Sequence, residues 1–315
     1  MNPTTSATAP ARHAPAPTRA GTMRAVVKAA AGPGAEIREV PVPACSPGEL
    51  LLRVLRAGVC GTDLHIYTWD RWSAERIRPP VTLGHEFVGE VIERGAGVTE
   101  FATGERVSCE SHIVCNHCLA CRTGNAHVCE HTRILGVDVN GGFAEYVAVP
   151  AVNAWRVPPN VPLEVAGVME PLGNAVHTAF AGEISAATIA VTGCGPIGLF
   201  AIGVARAAGA ACVIASDVSP YRLELARALK ADAVVDVSRE SFVERVKEAT
   251  RDRGLDGGAA ADVEPSVEDL FVSFVDRERK QRVREQLRAL TSDPDGTSPV
   301  GGLGGGAAPA PPQRQ

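Results

Sequence analysis

From Met23 to about Val157 the apolar positions come in short runs separated by Gly and Pro: MRAVVKA, ELLLRVLRAG, EFVGEVIERG, ERVSCES and FAEYVAVP. Runs of this length, bounded by turn residues, read as strands, and their spacing predicts an all-β, barrel-like domain. The pattern then changes. TIAVTG reads as a buried strand, PIGLFAIGVARAAGA as a helix, ACVIASD as a second strand and SPYRLELARALKA as a second helix. DAVVDV and SFVERVKEAT add a third strand and a third helix. This alternation predicts βαβ units on a parallel sheet. The expected class is therefore α/β, with a β-rich first half.

The regularity stops after about Gly257. GGAAADVEPS occupies the place of a fourth strand but is a poor strand former, so the sheet is expected to hold three strands, or four. DRERKQRVREQLRAL follows as a charged helix, most simply a solvated one, and then a Gly/Pro/Ala-rich tail reads as disordered. Residues 1–22, rich in Pro, Ala and Thr and free of acids, also read as disordered. Their prolines oppose the amphipathic helix of an organelle-targeting peptide, and Met23 is a second candidate start.

Composition narrows the classes. A chain of 315 residues has room for two domains. No apolar run approaches the ~18 residues that span a bilayer. A net charge of -5 argues against a nucleic-acid surface, so neither nucleic acid nor membrane is expected as a partner. Nine cysteines, an odd number with a tight cluster and no secretory segment before it, point to a reducing compartment, by default the cytoplasm.

That cluster carries the first candidate chemistry. Cys115, Cys118, Cys121 and Cys129 form C-x2-C-x2-C-x7-C, which lets one loop wrap four thiolates around a borderline-soft ion such as Zn²⁺. Four sulfurs leave no open position, so the ion would be structural. An iron–sulfur cluster is the alternative, but the fourth cysteine is too distant and lacks the following proline. Cys60, in AGVCGTDLHIY, with His85 and Glu86, in LGHEFVGEV, offers a mixed S/N/O set suited to a catalytic zinc with an exchangeable position. Taken singly, each of these is as readily an inert strand-end Cys or an ordinary His–Glu pair. Gly193, Gly195 and Gly198, with Ile197 between them, give G-x-G-x-x-G after a strand and before a helix, the context for a pyrophosphate at a helix N-terminus. A tight turn without nucleotide is the competing reading. Asp217 ends the next strand, where a carboxylate would take the adenosine ribose hydroxyls and favour NAD over NADP. Arg222 either packs over the adenosine or caps a helix.

In order, CGTDLHIYTWDRWS, GHEFVGEV, CNHCLACRTGNAHVC, EPLGNAVHTA, GCGPIG and DVSPYRLELAR resemble the zinc-dependent medium-chain dehydrogenases over about residues 23–256. HIYTWDRWS and PLGNAVHTA are most similar to the branch that acts on L-threonine rather than on sorbitol or simple alcohols. The resemblance implies a GroES-like catalytic domain at 23–175 and a truncated Rossmann-type NAD-binding domain at 176–260, with an unrelated helix and tail at 261–315. It implies two zinc ions per chain, one catalytic on Cys60, His85 and Glu86 and one structural on the four-cysteine loop. Glu170 would support proton transfer beside the catalytic metal or exchange with water. Thr62 and His65 would relay the alcohol proton to solvent, and His112 would take part in substrate selection unless it is an ordinary loop histidine. The implied reaction moves a hydride from L-threonine to NAD, giving 2-amino-3-ketobutyrate. Family members form homo-oligomers through a sheet edge, and continue for about three more strands that this chain lacks.

VEPSVEDLFVSFV, residues 263–275, instead resembles the C-terminal part of an ABC transporter ATP-binding subunit, so a junction of two reading frames near 257–264 is expected, or else a genuine extension. The alternatives for function are a non-catalytic remnant that binds zinc and NAD weakly, a dehydrogenase of another polyol or secondary alcohol, and a zinc-stabilised binding module.

Overall fold

The computed structural model describes residues 21–251, 254–255 and 257–259. Alternation shapes the first strand: in β1 (Thr22–Lys28) Met23, Ala25 and Val27 point inward. β1 pairs antiparallel with β2 (Glu36–Pro41), a strand the apolar pattern does not reveal. β3 (Glu49–Ala57) differs, because Leu50, Leu51 and Leu52 are all buried, as befits an inner strand. A short β4 (Val81–Thr82) completes the sheet β2-β1-β4.

Four further strands, β5 (Phe87–Arg94), β6 (Arg106–Cys109), β9 (Tyr146–Pro150) and β10 (Ala154–Arg156), join β3 in the antiparallel order β10-β6-β5-β3-β9. A small hairpin of β7 (His112–Ile113) and β8 (Arg133–Ile134) lies between β6 and β9 in sequence. The core of the five-stranded sheet comprises Leu50, Leu52, Phe87, Val91, Val107, Val147 and Val149. Phe87, fully enclosed, contributes roughly 2–3 kcal/mol of burial.

The helices of this half are α1 (Gly61–Thr68), α2 (Arg71–Arg76), α3 (Leu119–Arg122) and α4 (Leu163–Ala166). α5 (Met169–Ala179) then runs without a break across the boundary expected between residues 175 and 176, and packs along α6 (Pro196–Ala207).

The second half alternates as expected: β11 (Thr188–Thr192), α6, β12 (Cys212–Asp217), α7 (Pro220–Ala228), β13 (Ala233–Asp236) and α8 (Phe242–Thr250). Val191, Ile202, Val213 and Ala215 form its core. With a short β14 (Gly257–Ala259), a parallel sheet results, in the order β13-β12-β11-β14.

One open alternative is decided, and one boundary changes. Gly257–Ala259, from the segment read as a poor strand, forms β14 beside β11. Parallel pairing is a backbone interaction, so an open edge on β11 recruits Gly-Gly-Ala without help from β-branched side chains. Thr22, assigned to the disordered extension, instead opens β1 opposite Pro41. The expected helix at 276–290, the resemblance at 263–275 and the terminal tail lie outside the described residues.

Candidate active site

β3 and β5 pair up to Ala57 opposite Phe87, and Gly58 N–H then donates to Glu86 O at 2.9 Å. The pairing carries Cys60, just past β3, to His85 and Glu86, just before β5. One donor atom from each of the three lies within 4.8 Å of the others. Glu86 fits because residue 58 is glycine: a Cβ there would stand only 2.4 Å from its Oε2. Gly84 turns at φ +91° with the Phe143 ring against it, so neither the conformation nor the space admits a side chain.

Cys60 caps α1 and is locked there by a reciprocal box with Asp63, whose Oδ2 accepts Cys60 N–H at 2.9 Å. The other oxygen of Asp63 lies 3.8 Å from His85 Nδ1, and both of these buried atoms lack a hydrogen-bond partner. A carboxylate facing one ring nitrogen of a metal-binding histidine fixes its tautomer and leaves the other nitrogen to ligate. Asp63 is absent from the motif-based site. Its only signal is the position three residues after Cys60 at a helix start.

The electrostatics suit a cation. Burial, then the Glu86 and Asp63 carboxylates, push the Cys60 thiol up to about 11, and burial with Asp63 also raises Glu86. Burial lowers His85, favouring the neutral, ligating imidazole. Acidic groups packed this closely repel one another until a positive ion neutralises them.

Thr62, buried, sits in the first turn of α1 with its hydroxyl 3.8 Å from Cys60 Sγ. His65, partly exposed, lies one turn further along the same helix face. Its Nδ1 is 2.5 Å from Asp70 Oδ2, while Asp70 Oδ1 accepts Ser73 N–H at the start of α2.

Glu170 lies in the first turn of α5 and accepts the Ser111 hydroxyl at 2.7 Å. Burial, with added repulsion from Glu110 and Glu86, pushes its carboxyl up to about 7. His112 joins it: donor atoms of Glu110, His112 and Glu170 fall within 4.8 Å of one another.

The four-cysteine loop brings its sulfurs together. Cys115, Cys118, Cys121 and Cys129 are free thiols, with Sγ separations of 3.5 Å (118–121), 3.6 Å (115–129) and 3.9 Å (118–129). Four sulfurs placed tetrahedrally around zinc would stand about 3.8 Å apart. The N–H groups of Cys115 and His131 donate to Cys129 Sγ, and these bonds draw its thiol down to about 6. Cys109 lies in the β-sheet core, apart from this group. His117 stacks on His131, and the His127 ring meets His177 of α5 at a tilt, centroids 5.0 Å apart.

At the end of β11, Gly193 adopts φ +86° and donates its N–H to Ser216 O. A Cβ at Gly198 would strike Gly193 O, whereas Gly193 and Gly195 look onto open space, where a pyrophosphate would rest against the start of α6. Ile197 is half-buried in the first turn of that helix. Asp217, buried at the end of β12, accepts Cys194 N–H at 2.7 Å and Ser219 N–H at 2.8 Å, and so ties the glycine turn to the next strand. Arg222 Nη1 stands 3.6 Å from its carboxylate.

Residues 46–159 match the alcohol dehydrogenase GroES-like domain, and residues 196–262 the zinc-binding dehydrogenase domain. L-threonine 3-dehydrogenase of Symbiobacterium thermophilum is 51% identical over 237 residues, covering 75% of this chain and 68% of that protein. The enzyme of the same name from Pyrococcus horikoshii is 50% identical over 234 residues, 74% of this chain and 67% of that one. Among solved structures, 2R,3R-butanediol dehydrogenase from Bacillus subtilis superposes with a TM-score of 0.67 at 31% identity, over 80% of this chain and 74% of that one. The NADH complex of the alcohol dehydrogenase rspB from Escherichia coli CFT073 gives 0.70 at 32%, over 81% and 73%. Two domain matches in the right order, on a β-rich half and a parallel-sheet half, and about half the positions identical over three-quarters of the chain lead to one conclusion: this chain belongs to the zinc-dependent medium-chain alcohol dehydrogenases.

Proposed function

We propose that this chain oxidises the secondary alcohol of L-threonine with NAD, giving 2-amino-3-ketobutyrate and NADH. The observation that carries the reading is the convergence of Cys60, His85 and Glu86, with the Thr62 hydroxyl 3.8 Å from Cys60 Sγ, in a chain about half identical over three-quarters of its length to an enzyme named L-threonine 3-dehydrogenase. In this reading residues 23–175 form the GroES-like catalytic part and residues 176–260 the nucleotide-binding part.

Cys60, His85 and Glu86 would hold the catalytic zinc, and Cys115, Cys118, Cys121 and Cys129 a second, structural one. The catalytic ion supplies Lewis acidity that lowers the pKa of the substrate hydroxyl. Asp63 orients the His85 ring. The proton released from the hydroxyl passes from the enclosed Thr62 to the partly exposed His65, whose ring is steadied by Asp70. Glu170, held near neutrality by its surroundings, is poised to accept or return a proton beside the same site. Gly193, Gly195 and Gly198, with Ile197, would seat the pyrophosphate, and Asp217 the ribose, with Arg222 alongside.

The test uses the purified full chain with zinc and NAD. Appearance of the reduced-nicotinamide absorbance on adding L-threonine is expected. Zinc-loaded protein that binds NAD but yields no NADH overturns the reading in favour of a non-catalytic chain. Faster turnover of another secondary alcohol reassigns the substrate.

A further inference from the structure

Lys28 closes β1 as a charged residue with no exposed surface. Its ammonium donates to the carbonyls of Gly32 and, at 2.8 Å, of Gly34, and it stands 4.6 Å from the centre of the Trp69 ring. An enclosed ammonium is costly unless its donors are taken up, and here two carbonyls and an aromatic face do so. Trp69 is itself unusual. It ends α1 in the left-handed conformation, at φ 59° and ψ 52°, where glycine is the common occupant and a bulky side chain is disfavoured. The indole is kept in that turn by packing against the cluster of Ile66 and Val81 and by the ammonium over its ring. Gly34 N–H adds a bond to Tyr67 O at 2.7 Å, which fastens the loop of residues 29–34 to the same end of α1.

We propose that Lys28 is a positioning residue for the proton relay: by holding Trp69 in its left-handed turn, it sets Asp70 against the His65 ring. The inference rests on the reading that His65 passes the alcohol proton to solvent. Only Trp69 and Asp70 separate α1 from α2, so the turn at Trp69 fixes the direction in which Asp70 leaves α1. Trp69 N–H donates to His65 O at 2.9 Å, and Asp70 Oδ2 lies 2.5 Å from His65 Nδ1. A tryptophan without the ammonium is released toward the conformations that L-residues prefer. Asp70 Oδ1 accepts Ser73 N–H at the start of α2, so the carboxylate follows α2 when the turn relaxes, and leaves the ring. His65 then loses the partner that fixes its tautomer.

The experiment compares Lys28→Met with the wild type in the full chain loaded with zinc. Met fills a similar volume, and exchange of a buried charge for an apolar group of like size is commonly tolerated. The first readout needs no turnover. The ¹⁵N resonance of His65 Nδ1, which follows hydrogen bonding and tautomer, should move in Lys28→Met while those of His117 and His127 stay in place. In a chain carrying Trp69→Gly, glycine holds the left-handed turn unaided, so adding Lys28→Met should move the His65 resonance far less. The second readout is turnover of L-threonine with NAD. Lys28→Met should lower kcat about tenfold and leave KM within about twofold, because the relay acts after the substrate is bound. The proposal is overturned by a His65 resonance that stays put in Lys28→Met, that moves only in step with the other histidines, or that moves as far on the glycine background. A rise in KM at unchanged kcat also overturns it. A wild-type chain that makes no NADH defeats the oxidation reading alone, and the resonances still decide the positioning role.

Discussion

Asp63→Asn isolates the contribution of one enclosed carboxylate to metal binding. Asp63 Oδ2 accepts Cys60 N–H at 2.9 Å, while Oδ1, enclosed and without a partner, faces the His85 ring. Asn has one oxygen, and the Cys60 N–H holds it in place. Its NH₂ group must then face His85 Nδ1, at a position where the native oxygen stands 3.8 Å away. A donor at that position calls for a lone pair on Nδ1, which moves the ring proton to Nε2, the nitrogen that would otherwise ligate. The substitution preserves volume, so packing contributes little to the result. Loss of such an outer partner weakens metal affinity by about 10–100-fold, or roughly 1.4–2.7 kcal/mol. Competition between the protein and a chromophoric chelator would measure it, with the four-cysteine site as internal reference. Affinity at the Cys60 site unchanged within about twofold, or equal weakening at both sites, would refute the reasoning.

Three other outcomes follow from the same geometry. Cys121→Ser should cost one zinc per chain and lower the melting temperature while Cys60, His85 and Glu86 keep theirs, as metal analysis and calorimetry would report; retention of both ions contradicts the four-sulfur assignment. Gly198→Ala forces a Cβ onto Gly193 O, so calorimetry should find a loss of about 1–3 kcal/mol of stability, with a larger loss of NAD affinity by titration. Glu145 accepts the N–H and the guanidinium of Arg24, bonds that hold its carboxyl below the usual range. A depressed carboxylate stabilises the fold above its unfolded pKa and loses that effect as pH falls through the folded one. Glu145→Gln should therefore melt lower than wild type at neutral pH, and the two curves should converge in acid.

What the chain reveals before folding depends on how local each feature is. The four cysteines and the glycine turn are written in contiguous stretches, so their spacing alone exposes them. The strands of the β-rich half are legible from runs such as ELLLRV, and the helices of the parallel half from their place between those strands. Asp63, Asp70, Glu110, Ser111 and Asn153 escape such reading. Asp63, Ser111 and Asn153 are ordinary polar residues until pairing between distant segments brings each to a partner, as when Asn153 reaches back to the carbonyl of Glu110, whereas Asp70 and Glu110 find theirs within five residues but in no motif. β14 was hidden for another reason, since its three residues are recruited by the backbone of β11 rather than by their own side chains.

The two clusters of metal-type donors also differ in when they come into being. Cys115 to Cys129 spans one loop, and closing it costs only about 0.5 kcal/mol less in chain entropy than closing Cys60 to Glu86, so loop length hardly separates them. Architecture does. The cysteine loop brings its own sulfurs together, whereas Cys60 meets His85 and Glu86 only after β3 and β5 have found their register. On the proposed two-zinc reading, the loop would take up its ion during synthesis or refolding while the sheet is still forming, and the second trio would become a ligand set only at the end. A chain short of metal, or caught partly folded, would carry its ion in the cysteine loop, and occupancy of the Cys60 site would report that folding is complete.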